Sequence, residues 1–338
     1  MKGKKEGRTG GKKRAIRTVL IVLASLLLLY GGAWGVLRAR QMWYLSRTER
    51  GPVIPGLADG MVPQGFSWLE SEGCYLVCGY MSGNRASRIY MVWPDGRTKM
   101  ISLLREDGSV YRGHAGGITA AGDWVYISNA SKLFYLRSES LSKAENGAQL
   151  AFEGYVEVPC RASFCSSDEY FIYVGEYHAE GYETDESHAV KTASGETYQA
   201  LVLGYERDKD SPAGLKHPEH PGVAFAVPDK VQGFCTKDLR GRAGVFLSVS
   251  AGVSDAKMIA YGLGSTAETV WINDWEMPLY VLDETRLWWD KTVPFMGEDL
   301  EYRDGTVIQG FESAAKKFGS GWMPGSEKYI LRFRPPEN

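Results

Sequence analysis

Two hydrophobic patterns divide the chain. From Thr18 to Leu37 no charged residue interrupts the run Thr-Val-Leu-Ile-Val-Leu-Ala-Ser-Leu-Leu-Leu-Leu-Tyr-Gly-Gly-Ala-Trp-Gly-Val-Leu. About 20 apolar residues suffice for a helix to cross roughly 30 Å of hydrocarbon. After residue 60 the pattern changes. Short β-branched and aromatic runs now alternate with Gly, Asn, Asp and Ser, which reads as strands joined by turns. The patterning predicts a basic tail over 1–17, a transmembrane helix over 18–37, a stalk over 38–59 and an all-β ectodomain over 60–336.

The ectodomain contains a repeat. Val62-Pro-Gln-Gly-Phe-Ser67, His114-Ala-Gly-Gly-Ile-Thr119, Cys160-Arg-Ala-Ser-Phe-Cys165, Lys230-Val-Gln-Gly-Phe-Cys235 and Met296-Gly-Glu-Asp-Leu-Glu301 share an apolar fifth position, with Gly favoured beside it. Each segment is soon followed by a strand-like run: Tyr75–Tyr80, Trp124–Asn129, Phe171–Glu176, Val245–Ser250 and Val307–Glu312. Strand, turn and strand recurring at blade-like spacing predict a five-bladed β-propeller. The stalk is placed to supply the outer strand that closes the last blade. A sixth blade would follow if 264–293 formed its own sheet. The polar stretches 178–198 and 207–222 read as hairpin insertions in the third blade, and 264–278 as one in the fourth.

Four of these segments, Val-Pro-Gln-Gly (62–65), His-x-Gly-Gly-Ile (114–118), Val-Gln-Gly-Phe (231–234) and Phe-Glu-Ser-Ala-Ala-Lys-Lys-Phe (311–318), carry a resemblance. They are similar to a group of uncharacterised bacterial secreted or membrane-anchored propeller-like proteins, and more distantly to strictosidine-synthase-like and YVTN-type propellers. The resemblance implies a fold more than an activity. The carboxylate and amide ligands of the calcium-dependent lactonase branch have no full counterpart here.

Charge adds orientation. Residues 1–17 hold eight Lys and Arg against Glu6, which leaves −9 for the remainder of a chain whose total is −2. A basic flank before the apolar run keeps the N-terminus cytoplasmic and sends the C-terminal bulk across the cell membrane as a single-pass protein. The rival is a signal peptide cut near Gly31-Gly32-Ala33, although the apolar stretch is longer than such segments usually are. Gly31 and Gly35 form a GxxxG pair of the kind that lets two helices approach closely. An acidic ectodomain argues against nucleic acid as a partner.

The propeller reading places candidate chemistry at one mouth of the central channel, where a small molecule, a glycan or a protein would bind. The third repeat position gives Gln64, Gly116, Ala162, Gln232 and Glu298, and the first gives His114 and Lys230. The ends of the second strands give Tyr80, Asn129, Glu176, Ser250 and Glu312. Converging polar groups in a concavity make a binding site. His114 with Glu298 or Glu312 would make an acid–base set for a hydrolase or lyase. The two glutamates would alternatively hold a cation such as Ca²⁺, or pair with Lys230, Lys316 or Lys317. Arg161 would meet a carboxylate ligand or Glu176. His178, Glu183, Asp185 and His188 fit no familiar zinc spacing, and His217 and His220 read as loop. No GxSxG, P-loop or dinucleotide fingerprint is present. Of five cysteines, Cys74 and Cys78 lie about 13 Å apart along a strand, too far to bridge. Cys165 and Cys235 occupy equivalent positions in adjacent blades. A bridge between those two is one reading; buried free thiols accord better with cysteine's packing as a small hydrophobe.

Overall fold

The computed structural model describes residues 6–238, 243–253, 256–264, 268–323 and 325–335. They divide into two compact units, Met1–Trp43 and Tyr44–Asn338. The first is helical. A helix runs Glu6–Leu45, and its stretch Gly11–Leu45 is long and apolar enough to cross a membrane. It therefore reaches past 18–37 on both sides, and no proline interrupts it.

The second unit is a propeller of five blades. Blade 1 holds Met61–Leu69, Cys74–Met81, Arg85–Val92 and Thr98–Leu104, with Gln149–Ala151 added in parallel outside them. Blade 2 holds Gly117–Ala121, Trp124–Asn129, Lys132–Arg137 and Gly154–Glu157. Blade 3 begins with Ala162–Ser167, Phe171–Glu176, Ala200–Glu206 and Val223–Val227, and blade 4 with Val231–Asp238, Ala243–Val249, Ala256–Gly262 and Leu287–Val293. Blade 5 pairs Gly297–Arg303, Thr306–Phe311 and Tyr329–Phe333 with Thr48–Val53. The stalk thus ends in a sheet: Thr48 faces Phe333 and Arg50 faces Leu331, so the two ends of the unit close the ring.

No sixth blade forms from 264–293. Glu268–Ile272 and Trp275–Val281 make a hairpin that joins the outer edge of blade 3, in parallel with Val223–Val227, and Leu287–Val293 returns to blade 4. The insertions at 178–198 and 207–222 lie in blade 3, as the sequence predicts; the first carries a small hairpin, Val190–Lys191 with Thr197–Tyr198.

Burial follows the blades. Apolar side chains fill the spaces between successive sheets, as in the cluster of Leu76, Ile89, Ile118 and Phe134 between blades 1 and 2. The innermost strands explain the repeat. The apolar fifth positions Phe66, Ile118, Phe164, Phe234 and Leu300 are all buried. The residue before each lies where neighbouring strands crowd the axis. A Cβ on Gly65 would run into the backbone of Gly117 and Ile118, and one on Gly117 into that of Phe164 and Cys165. Blades 3 and 5 depart from glycine by placing Ser163 and Asp299 there. The Asp299 carboxyl accepts the backbone N–H of Leu300 at Oδ1 (3.0 Å), while its Oδ2 is buried without a partner among the described residues. Burial pushes this carboxyl well above the usual range.

Four of the innermost strands also bulge at their start, between Pro63 and Gly65, Ala162 and Phe164, Val231 and Gly233, and Gly297 and Leu300. A bulged residue leaves the ladder and re-aims its side chain. The released residues are Gln64, Ser163, Gln232 and the pair Glu298–Asp299. In blade 3 the released residue is therefore Ser163, since Ala162 is paired with Glu176.

Candidate functional site

The funnel mouth is built from blades 1, 2, 3 and 5. Its floor is Glu298, 2 % exposed, hydrogen-bonded to Glu312 at the end of the next strand. The backbone N–H of Glu312 donates to the Met296 carbonyl (3.1 Å), which ties that strand end to the entry of the innermost strand. Gln64, released by its bulge, donates from Nε2 to Glu312 Oε2 and to the Pro63 carbonyl, both at 2.9 Å. Both glutamates titrate above the usual carboxylate range. For Glu298 the causes are burial and then the Glu312 charge; for Glu312 burial leads, opposed by the Gln64 bond and the Lys317 charge. Two touching acids cannot both ionise cheaply, so the pair retains a shared proton as the pH rises past the usual carboxylate range.

The wall rises from this floor. Lys317 Nζ donates to the Tyr80 hydroxyl (2.6 Å), which joins blade 5 to blade 1. The Tyr80 ring stacks on His114 with centroids 4.8 Å apart and planes at 24°. The His114 backbone N–H donates to Asn129 Oδ1 (2.7 Å), which fixes the histidine at the rim. One side of its imidazole reaches solvent through the mouth while protein surrounds the rest. That enclosure, and then the Lys317 charge, push it below the ordinary histidine value and leave it neutral at pH 7. Across the mouth stand Tyr177 and Tyr182 of blade 3, edge to face at 5.6 Å. The Tyr177 hydroxyl is pushed up by burial and then by the charge of Glu298, and Tyr182 lies within electrostatic reach of Lys317.

The structure thus brings Gln64, Tyr80, His114, Glu298 and Glu312 into one connected set. Other candidates stand apart. Glu176 is buried inside blade 3, where it accepts the N–H groups of Arg161 (3.0 Å) and Leu201 (3.1 Å) and meets His188 Nδ1 (2.9 Å). Those partners use its carboxylate for the fold, so its expected place in the funnel is corrected. Asn129 serves as a positioning group for His114. Among the described residues, no hydrogen bond joins Gln232 or Ser250 to the set; the Ser250 N–H donates to the Lys230 carbonyl (2.9 Å), and its buried hydroxyl has no partner. The Arg161 guanidinium meets the Glu183 carbonyl (3.3 Å) and lies over the Tyr182 ring.

Sequence reasoning missed Tyr177 and Tyr182 and gave Lys317 only a locking role. Strand alternation could have found the first: if Glu176 turns into the blade, its neighbour turns out of it. Among the described residues no three His, Cys, Asp or Glu are grouped to hold a metal. The imagined loop-tip site is dispersed, with His178 on Asp229 (2.7 Å), His188 on Glu176 and Asp185 capping the Ser187 N–H. All five cysteines are buried free thiols, so Cys165 and Cys235 are not bridged.

No protein-family model and no curated protein matches the sequence. Solved structures similar in shape include several enzymes. One is an oxidoreductase (glucose dehydrogenase) of Thermus thermophilus, at 14 % identity and a TM-score of 0.44, covering 85 % of this chain and 99 % of that one. Another is the Myxococcus xanthus glutaminyl cyclase, at 7 % and 0.42, covering 85 % and 94 %. A third is an exo-β-1,3-galactanase of Phanerochaete chrysosporium, at 9 % and 0.45, covering 84 % and 64 %. These likenesses say nothing of activity and give no support to a strictosidine-synthase-like relationship; the chain is a propeller by its own sheets.

Proposed function

We propose that the protein is a membrane-tethered, extracytoplasmic propeller that binds a small polar ligand at its funnel mouth. One observation carries the reading. The mouth deepens from exposed Lys317 and Tyr182 through half-buried Glu312 to buried Glu298, and its groups come from four blades that nothing else requires to present polar side chains together. The helix supports the tether by length and composition, and the basic residues before it support a cytoplasmic N-terminus.

A hydrolase is the second reading, favoured by carboxyls that hold a proton near neutral pH, as a general acid must. Two features weigh against it. The carboxyls touch, whereas glycosidase pairs stand roughly 5–9 Å apart to admit the scissile bond. His114 is stacked on Tyr80 rather than hydrogen-bonded to either acid. A cation such as Ca²⁺ would find oxygen donors in Glu298, Glu312 and Gln64, at the cost of displacing the shared proton.

Thermal-shift titration of the full-length protein with neutral, anionic and cationic small molecules and with Ca²⁺ separates these readings. Binding predicts that at least one compound raises the melting temperature of wild type but not of Glu312→Gln. A shift by Ca²⁺ alone would move the assignment to a cation site. The absence of any shift abolished by Glu312→Gln would overturn the binding reading.

A further inference from the structure

The outer rim of blade 3 ends in an open strand. Glu268–Ile272 is the last strand of its sheet, and among the described residues nothing pairs with its far side. It is joined to Trp275–Val281 by Asn273 and Asp274, both at positive φ (47° and 65°), as a two-residue type I′ turn requires. Such a turn closes on a mutually hydrogen-bonded pair, here Ile272 with Trp275. Bonding alternates along an antiparallel ladder, so Ile272, Val270 and Glu268 bond the hairpin partner while Thr269 and Trp271 turn their N–H and C=O groups outward.

Natural sheet edges are guarded by lysine, by proline or by shortness. The other outer strands follow that rule. Gln149–Ala151 and Gly154–Glu157 have three and four residues, Leu287–Val293 carries Lys291, and Thr48–Val53 carries Arg50 and Pro52. Glu268–Ile272 holds neither lysine nor proline. Val270 and Ile272 pack inward with Met277 and Leu279. The opposite face shows Thr269, Trp271, Glu276 and Pro278 to solvent. Trp271 is 62 % exposed, and among the described residues no ring or cation covers it.

Charge selects the partner. From Glu268 to Glu284 the chain holds five carboxylates and no lysine or arginine. Glu268, Asp274 and Glu276 are exposed and make no ion pair among the described residues. Arg286, which follows, is occupied: it lies over Tyr280 and donates to the Leu263 carbonyl. A second copy of this edge would set like charges side by side. A basic strand would meet opposite charge and could lay a cation on the Trp271 face.

We propose that the outer edge of blade 3 receives an extended basic segment of another protein as an added strand, with one of its lysine or arginine side chains over Trp271. Fluorescence anisotropy of the full chain in detergent at pH 7 tests it with labelled octapeptides. One alternates lysine with valine, one alternates glutamate with valine, and one has the lysine peptide's charge but a central proline. The expected result is binding of the lysine–valine peptide. Thr269→Pro, which removes one outward N–H and leaves the bonds to Trp275–Val281 in place, weakens it about tenfold or more. Trp271→Ala weakens it as well. The Glu268→Lys, Glu276→Lys double variant transfers the preference to the glutamate peptide. Trp271→Ala and the double variant change only exposed side chains, so they keep the test valid should Thr269→Pro disturb the hairpin. No binding of the lysine–valine peptide, equal binding of the proline-interrupted peptide, or binding indifferent to these variants overturns the proposal. Self-association of the protein that Thr269→Pro abolishes, read by sedimentation, would give the edge to a second copy and overturn it too.

Discussion

At the residue scale the Glu298–Glu312 pair sets the pH response. A carboxyl whose native-state value lies above its unfolded value costs nothing below pH ~4.3 and destabilises the fold increasingly as pH rises through the native value. Burial and mutual charge put Glu298 in this class. Glu298→Gln is therefore expected to raise the melting temperature at pH 7.5 by about 2 °C or more, the shift that ~1 kcal/mol gives a domain of this size. The gain should vanish near pH 4, as melting curves across the range will show. Lys317→Met gives a second prediction. His114 loses the cation that holds its imidazole down, so its midpoint in an NMR titration should rise; no rise would mean that enclosure alone sets it. Much of this site was legible in the sequence. Gln64, Tyr80, His114, Glu298 and Glu312 follow from counting positions along repeated strands. Glu176 was misplaced because the N–H of Leu201 and the imidazole of His188, which hold it inside the blade, come from an insertion and a third strand that the repeat does not specify.

At the element scale the innermost strands and the closing strand bear most of the architecture. Gly65→Ala would push a methyl group into the backbone of blade 2. A loss of more than about 3 kcal/mol, or failure to fold, is expected, because overpacking against backbone cannot be relieved by a rotamer change. Chemical denaturation of the variant measures it. The closing strand has its own test. A chain beginning at Ile54 should melt well below one beginning at Ser46, since removing Thr48–Val53 uncovers the buried edge at Leu331. Equal melting temperatures would show that ring closure contributes little. The repeat made the five innermost strands legible, because apolar fifth positions and adjacent glycines are local. The hairpin of Glu268–Ile272 and Trp275–Val281 was not legible as part of blade 3. Its parallel pairing to Val223–Val227 reaches across the first three strands of blade 4, and no local pattern encodes it.

At the scale of the whole molecule the chain combines a candidate membrane helix with a closed propeller. The orientation proposed for the tether predicts that protease added to intact cells degrades the propeller while an epitope placed before Thr18 survives; the reverse pattern would contradict it. Fold class was readable from the period of strands and turns, and the helix from its uncharged length. The ligand was not, because a propeller is a platform on which many chemistries are built. The central claim is that the mouth over Glu298 is where this protein meets its ligand. Crystallographic screening of the propeller against small polar fragments at pH 7 tests it most directly. Fragments gathering against Glu312, Lys317 and Tyr80 are the predicted result. A mouth that keeps only water while fragments collect elsewhere on the surface would contradict it.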